Sequence, residues 1–291
     1  MAKKQKYYPL KNYIRIPIVI LLAVAILFWL NPKEKIAVAP SEFASEKANL
    51  SKNFNTPPPE SLNIPILMYH HVGELPAKAS AIRKDLTLST ETFTKQVKWL
   101  KEQGFSSISL EQLYLAASGD FQLPEKPVIF SFDDGYEDVF INAVPILEQY
   151  QFRGSFGIIT QYPENSNETD NLYASWEKIK SASDRGHEIV SHTQTHFDGN
   201  NSKYTNEYIF ENLQNSKNDI LKNTGKSTRI LIYPYGSYTT AYIEQAKNAG
   251  FVMGLTVKHG NLVNTNNLME VPRLRIHGNQ NFEKFKKLFS N

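Results

Sequence analysis

The sequence predicts an α/β protein: a distorted barrel of seven or eight parallel strands alternating with helices, behind an N-terminal transmembrane or signal helix. Three observations carry this expectation. Short apolar runs alternate with segments of helical periodicity over most of the chain, the pattern of a parallel sheet whose strands are joined by crossover helices. Polar clusters follow the runs rather than precede them, as at the C-terminal rim of such a barrel. A chain of 291 residues with 41% hydrophobic content is long enough for one barrel of about 230 residues with segments to spare.

Residues 1–30 read as a signal anchor. The basic stretch Met1 to Arg15 precedes the apolar run Ile16 to Leu30, and Asn31-Pro32 ends it. That run falls between a signal-peptide core and a full bilayer span of about twenty residues. Lysines ahead of it hold the N-terminus in the cytoplasm. The domain is therefore expected outside the membrane, periplasmic or extracellular, and anchored to the lipid bilayer. Cleavage at Ala37-Val38-Ala39 would instead release it as a secreted protein. Residues 31–62 turn to Pro, Ser, Asn, Lys and Glu, including Thr56-Pro57-Pro58-Pro59, and read as a disordered tether with too little apolar surface to fold alone.

Residues 63–291 are the expected globular domain. The strand candidates are Ile64 to Tyr69, Ser106 to Leu110, Val128 to Phe132, Ser155 to Thr160, Glu188 to Ser191, Arg229 to Tyr233, Phe251 to Val257 and Leu274 to Ile276. Ser89 or Thr90 is placed to cap a helix carrying Phe93, Val97 and Leu100, with Gly104 ending it. Lys3, Lys4, Lys6, Lys11 and Arg15 account for more than the whole net charge of +3, so the globular part is neutral to slightly acidic. Such a surface carries no electrostatic footprint for nucleic acid. With no cysteine in the chain, a disulfide framework, a thiol nucleophile and a thiolate metal ligand are all excluded.

Two motifs carry chemistry. Ser131-Phe132-Asp133-Asp134-Gly135 ends an apolar run with adjacent carboxylates, and Ser191-His192-Thr193-Gln194-Thr195-His196 places two imidazoles four residues apart. One carboxylate with two imidazoles makes a three-ligand shell for a divalent ion such as zinc, with a position left for water. The other carboxylate is then free to act as a base. Each motif has a plainer reading: Asp-Asp-Gly is a common turn, and spaced histidines are common on surfaces. Both at the rim of one barrel favour the metal site. His187 precedes its strand and is assigned to structure.

These residues resemble the polysaccharide deacetylases of NodB type, carbohydrate esterase family four, and the resemblance covers nearly all of Ile64 to Leu288. It implies Asp133 as catalytic base, Asp134 as metal ligand, and His192 and His196 as the remaining ligands. It also implies a distorted barrel fold. Ile66-Leu67-Met68-Tyr69-His70 resembles the start of a permuted branch that includes biofilm poly-N-acetylglucosamine deacetylases, which makes His70 the general acid. His277, in Leu274-Arg275-Ile276-His277, resembles the late motif of unpermuted members and competes for that role. The backbone N–H of Tyr235, in Pro234-Tyr235-Gly236, is by resemblance an oxyanion donor. The arginine that many relatives carry just before Pro-Tyr-Gly is absent, and Arg273 is the candidate to orient Asp133 in its place. Trp176 is a candidate pocket wall or an ordinary core tryptophan.

The resemblance implies a metal-dependent hydrolase removing N-acetyl groups from an N-acetylglucosamine-containing polysaccharide, with poly-N-acetylglucosamine as first expectation. Zinc is the expected ion, with cobalt or nickel suited to the same donors. The alternatives are a peptidoglycan N-acetylglucosamine deacetylase and a catalytically silent glycan-binding module.

Overall fold

A computed structural model describes residues 59–163 and 172–290. The expected anchor and most of the expected tether lie outside the described residues. Among the described residues no helix is long and apolar enough to cross a membrane.

Seven parallel strands close into a ring: β1 (Ile66–Tyr69), β2 (Pro127–Phe132), β3 (Gly154–Ile158), β4 (Glu188–Ser191), β5 (Ile230–Ile232), β6 (Met253–His259) and β7 (Val271–Arg275). Neighbours pair in sequence order from β2 to β7, and β1 closes the ring between β7 and β2. The barrel is therefore seven-stranded. The expected strand Ser106 to Leu110 is reduced to the pair Ser106–Ser107, hydrogen-bonded to the outer start of β2 beside the ring. Its shortening has a local cause. Ser109 and Gln112 form a reciprocal capping box that starts the helix Leu110–Ala117, so the apolar residues of this stretch enter a helix instead.

Crossovers follow the expected alternation. Helices Ala81–Leu86, Thr90–Glu102 and Leu110–Ala117 lie between β1 and β2, Val144–Gln149 follows β2, and Trp176–Asp184 follows β3. Asn206–Thr224 follows β4 and Thr240–Asn248 follows β5. Thr90–Glu102 begins as the sequence suggests, with the Ser89 side chain accepting the Thr92 N–H and Phe93, Val97 and Leu100 buried on one face. The β6–β7 connection has no long helix. It contains Leu262–Asn264, which pairs antiparallel with Ser61–Asn63, and a short turn at Leu268–Glu270.

Strand alternation sorts the core. Ile66, Ile129, Val190, Ile230, Ile232, Met253, Leu255 and Val271 come from strands around the ring yet form one buried cluster, which is possible only in the barrel lumen. Their neighbours Leu67, Tyr69, Phe130, Phe132 and Phe156 face outward into a second cluster beneath the helices. Alternation then carries Ser131 and Asp133 onto the lumen face of Ile129, and Arg273 onto that of Val271. This register delivers polar side chains to the top of the lumen.

Phe130→Ala empties a fully buried site on the outer face of β2 and is expected to cost about 3–5 kcal/mol. A urea titration should show a lower midpoint at unchanged slope.

Candidate active site

Asp133 and Asp134 leave the end of β2 in different directions. Asp133 stays on the lumen side, where Arg273 clamps it with two parallel bonds, Nη1 to Oδ1 at 2.6 Å and Nη2 to Oδ2 at 2.8 Å. Arg273 is 0% exposed and Asp133 3%. The guanidinium is itself oriented by donating to the Thr256 carbonyl at 2.9 Å and to Ser131 Oγ at 3.2 Å, while Ser131 donates to the Leu67 carbonyl at 2.8 Å. Burial pushes the Asp133 carboxyl up, but the charge and bonds of Arg273 outweigh it and hold the group below its ordinary value. Asp133 is thus an ionised acceptor facing the top of the lumen.

Asp134 turns away through a left-handed backbone conformation, φ 73°. Its Oδ1 lies 3.1 Å from His192 Nε2 and 3.3 Å from His196 Nε2. The two histidines follow β4 in a loop rather than on a helix, brought together by left-handed turns at Thr193 and His196. His192 is fixed by its other nitrogen. Nδ1 faces the Ile232 carbonyl at 2.8 Å, an acceptor only, so Nδ1 carries the hydrogen and Nε2 presents a lone pair to Asp134. The His196 Nδ1 lies 3.2 Å from the Tyr235 hydroxyl, which can donate to it or accept from it.

Asp134, His192 and His196 are the group among the described residues that could hold a metal ion. The residues fit one. Around a tetrahedral ion with bonds of ~2.0–2.1 Å, neighbouring donor atoms lie ~3.3 Å apart, close to the two separations observed. Lone pairs of a carboxylate and two imidazoles converging in a buried place repel unless a cation or proton lies between them. The electrostatics agree: burial works against the charge of Asp134, yet its bonds to His192 and His196 outweigh that and hold it well below the carboxylate range. Burial likewise opposes charge on His192, and Asp134 and Asp133 reverse the balance and raise its pKa. The site calls for positive charge.

The other expected residues fall as follows. His70 Nε2 lies 3.9 Å from Asp133 Oδ2, and its Nδ1 is buried without a hydrogen-bond partner among the described residues. Burial lowers the His70 pKa despite the pull of both aspartates. His277 is occupied elsewhere, bonded through Nδ1 to Asp85 at 2.8 Å. Tyr235 is 64% exposed beside His196 with φ 59°. Its turn requires the following glycine: Gly236 has φ 67°, and a Cβ there would fall 2.4 Å from Val257. Trp176 packs, half-buried, against the outer core. His187 lies at the opposite end of the barrel, accepting the Gly154 N–H and facing Glu148.

Sequence reasoning missed the Ile232 carbonyl, which acts through the backbone and leaves no sequence signal. Ser131 heads the Asp-Asp motif in the sequence, but its bond to Arg273 joins residues 142 apart and leaves no local signal.

At its C-terminal rim the closed seven-stranded barrel thus carries an Asp-His-His cluster that could hold a metal ion and a second, arginine-clamped aspartate. Residues 121–254 match the family described as polysaccharide deacetylase, and this chain carries a polysaccharide deacetylase domain of NodB type. The chain is 25% identical over 255 residues to the poly-beta-1,6-N-acetyl-D-glucosamine N-deacetylase of Escherichia coli K12, matching 75% of this chain and 37% of that protein. It thus spans well under half the length of that relative. It is 27% identical to the protein of the same name from Staphylococcus aureus N315, over 85% of this chain and 81% of that one. The solved structure of the Streptococcus pyogenes deacetylase PplD in complex with acetate superposes with a TM-score of 0.71 at 25% identity, covering 80% of this chain and 99% of that one. IcaB from Ammonifex degensii, at 22% identity and a TM-score of 0.65 over 78% of this chain and 96% of that one, shares the fold.

Replacing Arg273 by Met leaves the buried Asp133 charge without its partner and is expected to cost about 3–5 kcal/mol of folding stability. Arg273→Lys keeps the charge but loses the fork and should cost less, an ordering that chemical denaturation of the two variants checks.

Proposed function

We propose that this chain is a metal-dependent N-deacetylase of an N-acetylglucosamine polymer, with poly-N-acetylglucosamine as the substrate. The observation that carries the reading is the pairing of Asp134, His192 and His196 around one point, with Asp133 held ionised beside them but engaged by Arg273 instead. The names of the E. coli and S. aureus relatives support the substrate class.

Asp134, His192 and His196 would hold the ion, with zinc the leading choice for this donor set and cobalt or nickel suited to it. When bound, the ion supplies Lewis acidity that lowers the pKa of water and polarises the amide carbonyl. Asp133 accepts the proton of the attacking water, and Arg273 keeps its carboxylate aimed into the site. The departing amine needs a proton to leave. His70 is the group in reach: with Nε2 3.9 Å from Asp133 Oδ2, a proton taken at the aspartate is available to the ring and then to the amine. Tyr235, beside His196 on a left-handed turn, would offer its backbone N–H to the developing oxyanion. Acetate and a glucosamine unit are the products.

The same reading places the domain outside the cytoplasmic membrane, with residues 1–30 as anchor and 31–62 as tether. Its support is the order of basic, apolar and Pro/Ser-rich segments in the sequence. A peptidoglycan substrate would use the same chemistry.

The test is acetate release from β-1,6-linked and β-1,4-linked N-acetylglucosamine oligomers and from peptidoglycan, with zinc-loaded and chelator-stripped protein. Turnover should prefer the β-1,6 oligomer, vanish with chelator and return with zinc. Asp133→Asn should lower kcat about 10²–10⁴-fold. Undiminished release by that variant, or by stripped protein, removes the mechanism, and glycan binding without any turnover by wild type would favour a silent module.

A further inference from the structure

The loop that carries His192 and His196 rests on the helix Asn206–Thr224, and the buried face of that helix is not uniformly apolar. Ile209, Leu213 and Ile220 are interspersed there with Asn212, 3% exposed, and Ser216, 0% exposed. With the half-buried Asp219, these polar residues stand at i, i+4 and i+7, a stripe along one face of the helix. Apolar side chains would fill that face without desolvating an amide and a hydroxyl. The partners of the stripe beyond the helix lie in or beside the histidine loop.

Asn212 grips the middle of the loop. Its Oδ1 accepts the Gln194 N–H at 2.9 Å, and its Nδ2 donates to Thr195 Oγ1 at 2.9 Å. An N–H only donates, so the oxygen must face Gln194 and the orientation of the amide is fixed. Both partners lie between the two histidines. Thr195 is met from its other side by the Tyr208 hydroxyl at 3.0 Å.

Ser216 grips the start of the loop. It donates to the Leu213 carbonyl at 2.7 Å, so the Ser191 hydroxyl donates to it at 2.7 Å and keeps a lone pair for the Thr193 N–H at 3.1 Å. Asp219 accepts from Thr160 Oγ1 at 2.7 Å and from Gln194 Nε2 at 3.4 Å, while the Thr160 N–H donates to the Thr193 carbonyl at 3.1 Å. The loop is thus bonded to its helix at three levels. Thr193 and His196 are left-handed, φ 66° and 57°, a conformation that costs any residue with a Cβ. Bonds from outside the loop must select it, or the two Nε2 atoms would not both lie within 3.3 Å of one Asp134 oxygen.

We propose that Asn212 is a positioning residue for the metal site: its amide holds the backbone between His192 and His196, so that both imidazoles are set for one ion and the affinity for that ion depends on it. This rests on the reading of Asp134, His192 and His196 as a metal site. Loss of a group that orients metal ligands typically costs about 10–100-fold in affinity. Asn212 acts through the backbone, which places it at the lower end.

The experiment measures zinc affinity of the metal-free full-length chain by competition with a chromophoric chelator, for wild type, Asn212→Leu, Thr195→Val and Ile220→Ala. Cobalt(II) visible spectra and melting of the metal-free proteins are recorded alongside. Asn212→Leu keeps the side-chain bulk and loses both bonds; its zinc Kd should rise about 10-fold and its cobalt spectrum should shift. Thr195→Val loses one of the two bonds and should raise Kd by a smaller factor; it carries the comparison if Asn212→Leu does not fold. Ile220, 0% exposed on the same helix, is the control: Ile220→Ala should melt lower yet bind zinc as wild type does. Wild-type affinity and spectrum in folded Asn212→Leu, or in Thr195→Val where that variant stands in, overturn the inference and leave the metal reading standing. An equal loss of affinity in Ile220→Ala also overturns it, since any loosening of the helix would then suffice. Failure of wild type to bind zinc or cobalt overturns the metal reading itself and this inference with it.

Discussion

Two carboxylates adjacent in sequence are both buried at the end of one strand, and one arginine is available to them. This constraint organises the site. Like charges taken out of water side by side are tolerated only when each meets a compensating charge with good geometry. Asp133 meets the Arg273 fork from β7, across the lumen. Asp134 has no such partner, and what surrounds its Oδ1 instead is a pair of imidazole nitrogens. The fixed positive charge of Arg273 meets Asp133, and Asp134 is left facing the two imidazoles.

The barrel makes that division possible because its lumen is polar only at the top. The layer of Ile129, Ile230, Ile232, Leu255 and Val271 fills the lower part, and the next residues on the same faces are Ser131, Asp133 and Arg273. Alternation along two strands that are not neighbours in the sheet therefore brings a carboxylate and a guanidinium to one height in the lumen. Ser131 ties the arrangement to β1 through the Leu67 carbonyl. The same strand ends at His70, so Asp133, its arginine clamp and His70 come from β2, β7 and β1, three successive staves around the ring.

Much of this was legible in the sequence, and for physical reasons. A short near-continuous apolar run rich in β-branched and aromatic residues, such as Val128 to Phe132, reads as a strand covered on both faces, and polar residues directly after it fall at the rim. The Asp-Asp and His-x-x-x-His spacings pointed to the three residues that the structure brings together, although the histidines meet through two left-handed turns in a loop. Long-range pairing was harder to read. Arg273 lies 140 residues from Asp133 in sequence, and its role could be offered only because the usual position of an arginine was empty. Ser106 to Leu110 misled because its apolar residues serve a helix start, where the Ser109 and Gln112 cap outweighs a run too short to specify a strand.

Backbone strain marks the same place from another direction. Apart from Gln151, every non-glycine residue with positive φ among the described residues is Asp134, Thr193, His196 or Tyr235: two members of the Asp-His-His cluster, the residue just after His192 in the histidine loop, and the tyrosine beside His196. Each such conformation costs roughly 1–2 kcal/mol relative to the right-handed region, and none persists unless its surroundings hold it. Here the holding bonds are visible: Gly135 N–H to the Asp133 carbonyl beside Asp134, His196 N–H to Thr193 Oγ1, and Gly236 N–H to the Tyr233 carbonyl. A left-handed residue at a strand end redirects its side chain away from the alternation it would otherwise follow. Without that turn, Asp134 would point to the outer face opposite Asp133, among Phe132's helical neighbours, and the two carboxylates could never flank the same cleft.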